Sequence, residues 1–260
     1  MNNNLWIADR VGYKLFDTEK CPTDIVFFPA INLLYFAHSK NASSFLKWYF
    51  TCCALGRPWT KPSGNPHSSN EGSFRLSELP FSTSVSLLES NSITKVSVWR
   101  EPLDRLGAAY HSRYLEFSRE SYNKKYQHQW VKIRKNVLGY MDRGSTGIPD
   151  CWTDRSGFEE FLKTVSSIPA ALRDIHFARQ SDVYSIDRVG FNLCGVVDNL
   201  DSMLETLHEQ FDVPRITGSP QFLNQSANGD FSRNSQTTPS EIKSDYRQDF
   251  EIYAELSASQ

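Results

Sequence analysis

The chain has 260 residues, enough for one α/β domain or two small ones with a full apolar core. Its formal net charge is −2, and 22% of its residues are charged against 39% apolar. That balance belongs to an ordinary globular protein, with no global attraction to nucleic acid or to an anionic membrane. The five cysteines, Cys21, Cys52, Cys53, Cys151 and Cys194, have no regular spacing, which argues against a disulfide framework and against a zinc site.

Residues 1–20 are polar and mixed, without the basic-then-apolar order of a signal peptide. No run of about 18 apolar residues occurs, so no membrane span is expected and a cytoplasmic protein fits best. Leu33-Leu34-Tyr35-Phe36 is a short aromatic-rich apolar run and reads as a buried strand. Small polar residues follow around Lys40, with no glycine between Asn32 and Ala54. Phe45, Leu46, Trp48, Tyr49 and Phe50 then suit a helix buried on most sides, with Ser43 or Ser44 as its N-cap. Strand, tight loop and helix together make an anion site, because the helix start offers N–H groups and a positive dipole end. Cys52 and Cys53 fall in this helix as core thiols.

Gly56 to Ser73 holds three prolines and three glycines and reads as a long loop; it carries His67 and Glu71. Ile93 to Trp99 alternates like a strand. Arg100-Glu101-Pro102-Leu103-Asp104-Arg105-Leu106 then opens a helix with Pro102 in its first turn and Leu103, Leu106, Tyr110, Tyr114 and Phe117 on one face. Ser118 to Leu138 reads as a helix with a basic side, and 141–154 as a loop. Ser156 to Glu159 forms a capping box for a helix that turns Phe158, Phe161, Leu162, Val165 and Ile168 inward. Phe191 to Val197 is a third core strand, and Asp198-Asn199-Leu200 starts the helix after it. Residues 218–237 are polar and glycine- and asparagine-rich, with Arg233 as their one cation. Thr238 to Glu241 caps a final helix with Ile242, Tyr246, Phe250 and Tyr253 inward.

Several of these stretches resemble one family. Lys40-x-Ala42-x-Ser44-x-x-Lys47 resembles the 5′-phosphosulfate loop of sulfotransferases of the carbohydrate type. Arg100-Glu101-Pro102-Leu103-Asp104-Arg105-Leu106-x-x-Ala109-Tyr110, about 60 residues later, resembles the 3′-phosphate motif of the same family. The order is right, and two motifs are far more specific than one. His176-Phe177-x-x-Gln180, Asp198-Asn199-Leu200 and Tyr246-x-x-Asp249-Phe250-x-x-Tyr253 are similar to further landmarks, so the resemblance covers about 32–256. One departure stands out: Ala108 replaces the serine whose hydroxyl usually meets the 3′-phosphate.

The resemblance implies a single domain over 1–260, a P-loop-like, mainly parallel central sheet flanked by helices, with the ligand at the strands' carboxyl ends. It implies a PAPS-dependent sulfotransferase, moving a sulfuryl group from 3′-phosphoadenosine-5′-phosphosulfate to an acceptor hydroxyl on a glycan, lipid or small molecule. Lys40, Asn41, Ala42, Ser43, Ser44 and Phe45 would hold the 5′-phosphate, and Arg100 and Arg233 the 3′-phosphate. Lys40 would also act in catalysis, and His67 would be the base, with His176 and Glu71 as substitutes. No metal is called for, because lysine and helix dipole supply positive charge. The alternatives are a non-catalytic nucleotide-binding protein on the same scaffold, or a nucleotide-dependent kinase; the latter lacks the glycine-rich Walker loop.

Overall fold

The computed structural model describes residues 3–15, 24–59, 71–112, 157–218 and 240–260. The expectations for His67, Arg233, Tyr114 and Phe117, for the 118–138 helix, for the 141–154 loop and, beyond Gly218, for the 218–237 loop lie outside the described residues. Those described group into two compact units. One is drawn from Met1–Arg100, Gln180–Asn224 and Ile252–Gln260; the other from Glu101–Arg179 and Gln225–Glu251.

The first unit is built on a five-stranded sheet. Its strands are β1 (Ile25–Phe28), β2 (Leu33–Phe36), β3 (Phe74–Arg75), β4 (Thr94–Trp99) and β5 (Leu193–Val196), in the order β3-β1-β2-β4-β5. β2, β4 and β5 run parallel, with Tyr35 opposite Val96 and Val98 opposite Gly195. β1 is antiparallel to both β2 and β3. The sheet is therefore mixed, and the expectation of a mainly parallel sheet holds only on the β2-β4-β5 side. The reason is connection length. A parallel pair needs a crossover of a dozen or more residues, whereas only a 3-10 turn, Pro29–Ile31, and Asn32 join β1 to β2. Asn32 closes that turn in the left-handed region at φ 49°.

Strand residues alternate between two buried faces, which is why the strands read as near-continuous apolar runs. Leu33, Tyr35, Val96 and Val98 meet α2 (Ser43–Leu55) and α8 (Leu200–Gln210) through Phe45, Phe50, Met203 and Leu207. On the opposite face Phe36 meets Tyr184 and Phe191 edge-on, with ring centres 5.4 and 5.0 Å apart. The polar N-terminal stretch folds as α1 (Asn3–Val11), which buries Ile7, Ala8 and Val11. It meets α3 (Phe81–Glu89) through Trp6 and Phe81, 5.5 Å between ring centres. Two short helices, α6 (Gln180–Val183) and α7 (Ile186–Val189), lead the chain towards β5. Cys52 and Cys53 are buried as core thiols, and burial pushes the Cys53 thiol up to about 12.

The second unit packs α4 (Pro102–Tyr110), α5 (Gly157–Ser167) and α9 (Ser240–Asp245) around Leu106, Tyr110, Phe161, Val165, Phe177 and Ile242. Pro102 takes the first turn of α4, and the Glu101 carboxylate accepts from the Asp104 N–H at 2.6 Å. The final helix differs from expectation in being interrupted. α9 ends at Asp245, and α10 (Arg247–Ala258) begins after Tyr246. The break coincides with two tethers: Asp245 pairs with Arg173 at 2.6 Å, and the buried Tyr246 hydroxyl donates to the Phe177 carbonyl.

Gly195 shows how closely α8 lies on β5. A Cβ there would stand 2.3 Å from Met203 Sδ and 2.9 Å from its Cβ. The thioether end can turn aside; the Met203 Cβ cannot. Gly195→Ala is expected to lower stability by about 1–3 kcal/mol in urea unfolding, the usual cost of overpacking. An unchanged midpoint would mean that α8 rides free of the strand.

Candidate functional site

The loop between β2 and α2 runs from Ala37 to Ala42. Ala37, His38 and Asn41 are fully buried, and Lys40 is half-buried. Lys40 and Ala42 both adopt left-handed backbone, at φ 71° and 54°. That conformation costs a non-glycine residue roughly 1–2 kcal/mol, so a glycine-free loop of this shape stores strain. The shape also corrects the expected N-cap. Ser43 is already helical, so its hydroxyl cannot serve as a cap, and Ser44 lies deeper in the first turn. The N-cap is Ala42, whose own side chain makes no capping hydrogen bond. The first N–H groups of a helix have no acceptor within the helix.

Asp24 brackets this loop. Its carbonyl accepts from the Ala37 N–H at 3.1 Å, and its carboxylate binds the buried Lys47 ammonium at 2.8 Å. Burial pulls the Lys47 ammonium below its ordinary range, and the Asp24 carboxylate opposes that pull. Lys47 is thereby anchored one turn inside α2, while Lys40 stays in the loop.

The end of β4 is stitched to the same loop. Arg100 Nη1 donates to the Lys40 carbonyl at 3.0 Å. Gln180, fully buried, holds the Arg100 backbone from both sides: its Nε2 donates to the Arg100 carbonyl at 2.9 Å, and its Oε1 accepts from the Arg100 N–H at 3.1 Å. The same Oε1 accepts from Asn41 Nδ2, which also donates to the Val98 carbonyl at 2.8 Å. The structure therefore brings Lys40, Asn41, Ala42, Ser43, Ser44, Phe45 and Arg100 together in one unit. Sequence reasoning named Asn41 only for its N–H and left Gln180 without a role. The His-aromatic-x-x-Gln spacing was the one signal that pointed to it.

The remaining candidates are placed differently. Glu71 is exposed and paired with Arg57 at 3.2 Å. His176, in the second unit, has its Nδ1 2.5 Å from Asp174 Oδ1, and the same oxygen accepts its backbone N–H at 2.9 Å. A carboxylate on Nδ1 fixes the ring's orientation. The 175–178 segment is itself held by Arg105, whose buried guanidinium donates to the carbonyls of Ala178 at 2.5 Å and Ile175 at 2.8 Å. Arg105 is thus structural within the Arg-Glu-Pro-Leu-Asp-Arg motif. Ala108 is buried in α4.

The strain at Ala42 can be measured. Ala42→Gly removes the left-handed penalty but frees the unfolded chain, for a net change from zero to about 1 kcal/mol in favour of folding. Ala42→Val should cost about 1–2 kcal/mol at the same site. Chemical denaturation of both variants checks this; a clear loss of stability in Ala42→Gly would contradict the loop geometry.

No curated protein and no solved structure matches the chain. A sequence profile of the sulfotransferase family matches residues 23–255. That span takes in the β2–α2 loop, Arg100, the Asp174–His176 pair and Gln180. Among the described residues no helix is long and apolar enough to cross a membrane. With the profile running over most of its length, the chain belongs to the sulfotransferase family and is a transferase of sulfuryl groups.

Proposed function

We propose that the protein transfers a sulfuryl group from 3′-phosphoadenosine-5′-phosphosulfate to an acceptor hydroxyl on a glycan, lipid or small molecule. The observation that carries the reading is the β2–α2 loop. It is a strained helix start with a lysine, held against an arginine at the end of the neighbouring strand. Such a start, with its N–H groups and positive dipole end, fits a phosphate. We also assign the whole chain to one P-loop-like sulfotransferase domain, supported by a single family match that includes residues of both units.

The donor supplies a sulfuryl group already activated by its bond to a phosphate. In this reading the backbone N–H groups from Asn41 to Phe45 and the Ser43 and Ser44 hydroxyls hold the 5′-phosphate. Arg100, with Arg233, holds the 3′-phosphate, since a guanidinium is a fork of donors that matches phosphate oxygens. Lys40 neutralises the charge that grows on the bridging oxygen as the S–O bond breaks, an interaction worth most in the transition state. His67 takes the acceptor's hydroxyl proton as the new O–S bond forms. Glu71 is the weaker substitute, because its carboxylate is already paired with Arg57. His176, backed by Asp174, is the stronger one.

Calorimetry separates this reading from a kinase. Adenosine 3′,5′-bisphosphate should bind far better than ATP, and Arg100→Ala should lose about 1.5–3 kcal/mol of that binding, the worth of a hydrogen bond to a charged group. Equal affinity for ATP would sink the donor assignment. Lys40→Ala should lower turnover by orders of magnitude while weakening bisphosphate binding only modestly. Binding of the bisphosphate without transfer to any acceptor would favour the non-catalytic scaffold.

The base is tested by pH. A histidine base gives activity that falls on the acid side, around pH 6–7. His67→Ala should abolish that limb and cut turnover by roughly 10²–10⁴. If the limb survives in His67→Ala and disappears in His176→Ala, the two roles are exchanged.

A further inference from the structure

We infer that Gln180 is a positioning residue that couples the two phosphate subsites of the donor, by holding Arg100 and the Lys40 loop in one register. The inference rests on the donor reading above and deepens it.

The Gln180 side chain ends in a primary amide. It carries a donor and an acceptor in one plane, so it can pair with a peptide unit as a neighbouring strand does. Gln180 does this with Arg100: Nε2 to the carbonyl at 2.9 Å, and the N–H to Oε1 at 3.1 Å. The strand direction of β4 is thus carried one residue past Trp99, to the residue whose side chain turns back to the Lys40 carbonyl at 3.0 Å. The second lone pair of Oε1 takes Asn41 Nδ2, which is also anchored to the Val98 carbonyl at 2.8 Å. The bonds close a ring: Gln180 to Asn41, along the backbone to Lys40, across to the Arg100 side chain, and back from its peptide to Gln180. Three separate stretches of sequence are locked by one amide that is itself fully buried. The chain leaves the first unit after Arg100 and returns to it at Gln180, so the amide also ties the point of exit to the point of return.

This geometry makes the two proposed phosphate contacts depend on each other. Without the amide, the Arg100 peptide and the Asn41 side chain lose partners inside the protein, and both relax towards other arrangements. Lys40 remains on its loop and Arg100 on its strand, but their mutual placement is no longer fixed. Binding one phosphate then no longer prepares the site for the other.

The test measures how much the 3′-phosphate adds. Calorimetry gives the affinities of adenosine 5′-phosphate and of adenosine 3′,5′-bisphosphate for the full chain and for Gln180→Met, which keeps length and removes both hydrogen-bonding groups. In the wild type the second phosphate is expected to strengthen binding roughly tenfold or more. In Gln180→Met that gain should shrink to less than about threefold, while the 5′-phosphate alone loses less. A merely structural role would weaken both nucleotides in parallel and leave their ratio unchanged; that result overturns the inference and leaves the donor reading standing. A wild type with no gain from the 3′-phosphate overturns both. Should Gln180→Met fail to fold, Gln180→Asn is read the same way, since it keeps a neutral amide but is one methylene too short to reach the Arg100 peptide and Asn41 together. An undiminished gain in Gln180→Asn also counts against the inference.

Discussion

The site depends on a buried hydrogen-bond ring more than on any charge. Gln180 hydrogen-bonds to Asn41 and to Arg100, joining three stretches of chain that are far apart in sequence. In a low-dielectric interior such a ring is strong when complete and costly when broken. It sets where β4 ends, where the β2–α2 loop lies, and how Arg100 stands relative to Lys40. The apolar core beneath it, built from Tyr35, Val98, Phe45 and Met203, fixes the sheet and helices but leaves the loop's register open.

The loop achieves with strain what other anion loops achieve with glycine. Two left-handed residues, Lys40 and Ala42, turn the chain tightly enough to aim the start of α2 outward from the strand end. The cost is met by anchors on either side: the Asp24 carbonyl on Ala37, the Asp24 carboxylate on Lys47, and Arg100 on the Lys40 carbonyl. Pre-organisation of this kind suits transfer chemistry, in which positioning and fixed charge do most of the catalysis. In the proposed mechanism one loop lysine and a helix end take the part that a metal and a glycine-rich cradle play in a kinase.

Much of this was legible in the sequence, for identifiable reasons. Leu33 to Phe36, Thr94 to Trp99 and Leu193 to Val196 are short buried strands whose apolar runs announce them, and the helices after them have regular inward faces. The antiparallel side of the sheet left no such mark, because β1 is four residues long and its direction is set by the short turn at Pro29–Ile31. The cap at Ala42 ran against propensity, since alanine rarely takes left-handed backbone. The Asp174–His176 pair and the Lys47–Asp24 pair depend on side-chain direction, which spacing does not encode. A buried glutamine such as Gln180 has no periodic signature at all; only its place in a family landmark hinted that it mattered.

The start of α2 and the Lys40 loop are proposed to hold the donor's 5′-phosphate. A crystal structure of the protein with adenosine 3′,5′-bisphosphate tests it most directly. The account predicts the 5′-phosphate within hydrogen-bond distance of the Ser43 to Phe45 N–H groups, with the Lys40 ammonium beside it and the 3′-phosphate on Arg100. A nucleotide bound elsewhere, or bound in reverse with its 3′-phosphate on the α2 start, would contradict it.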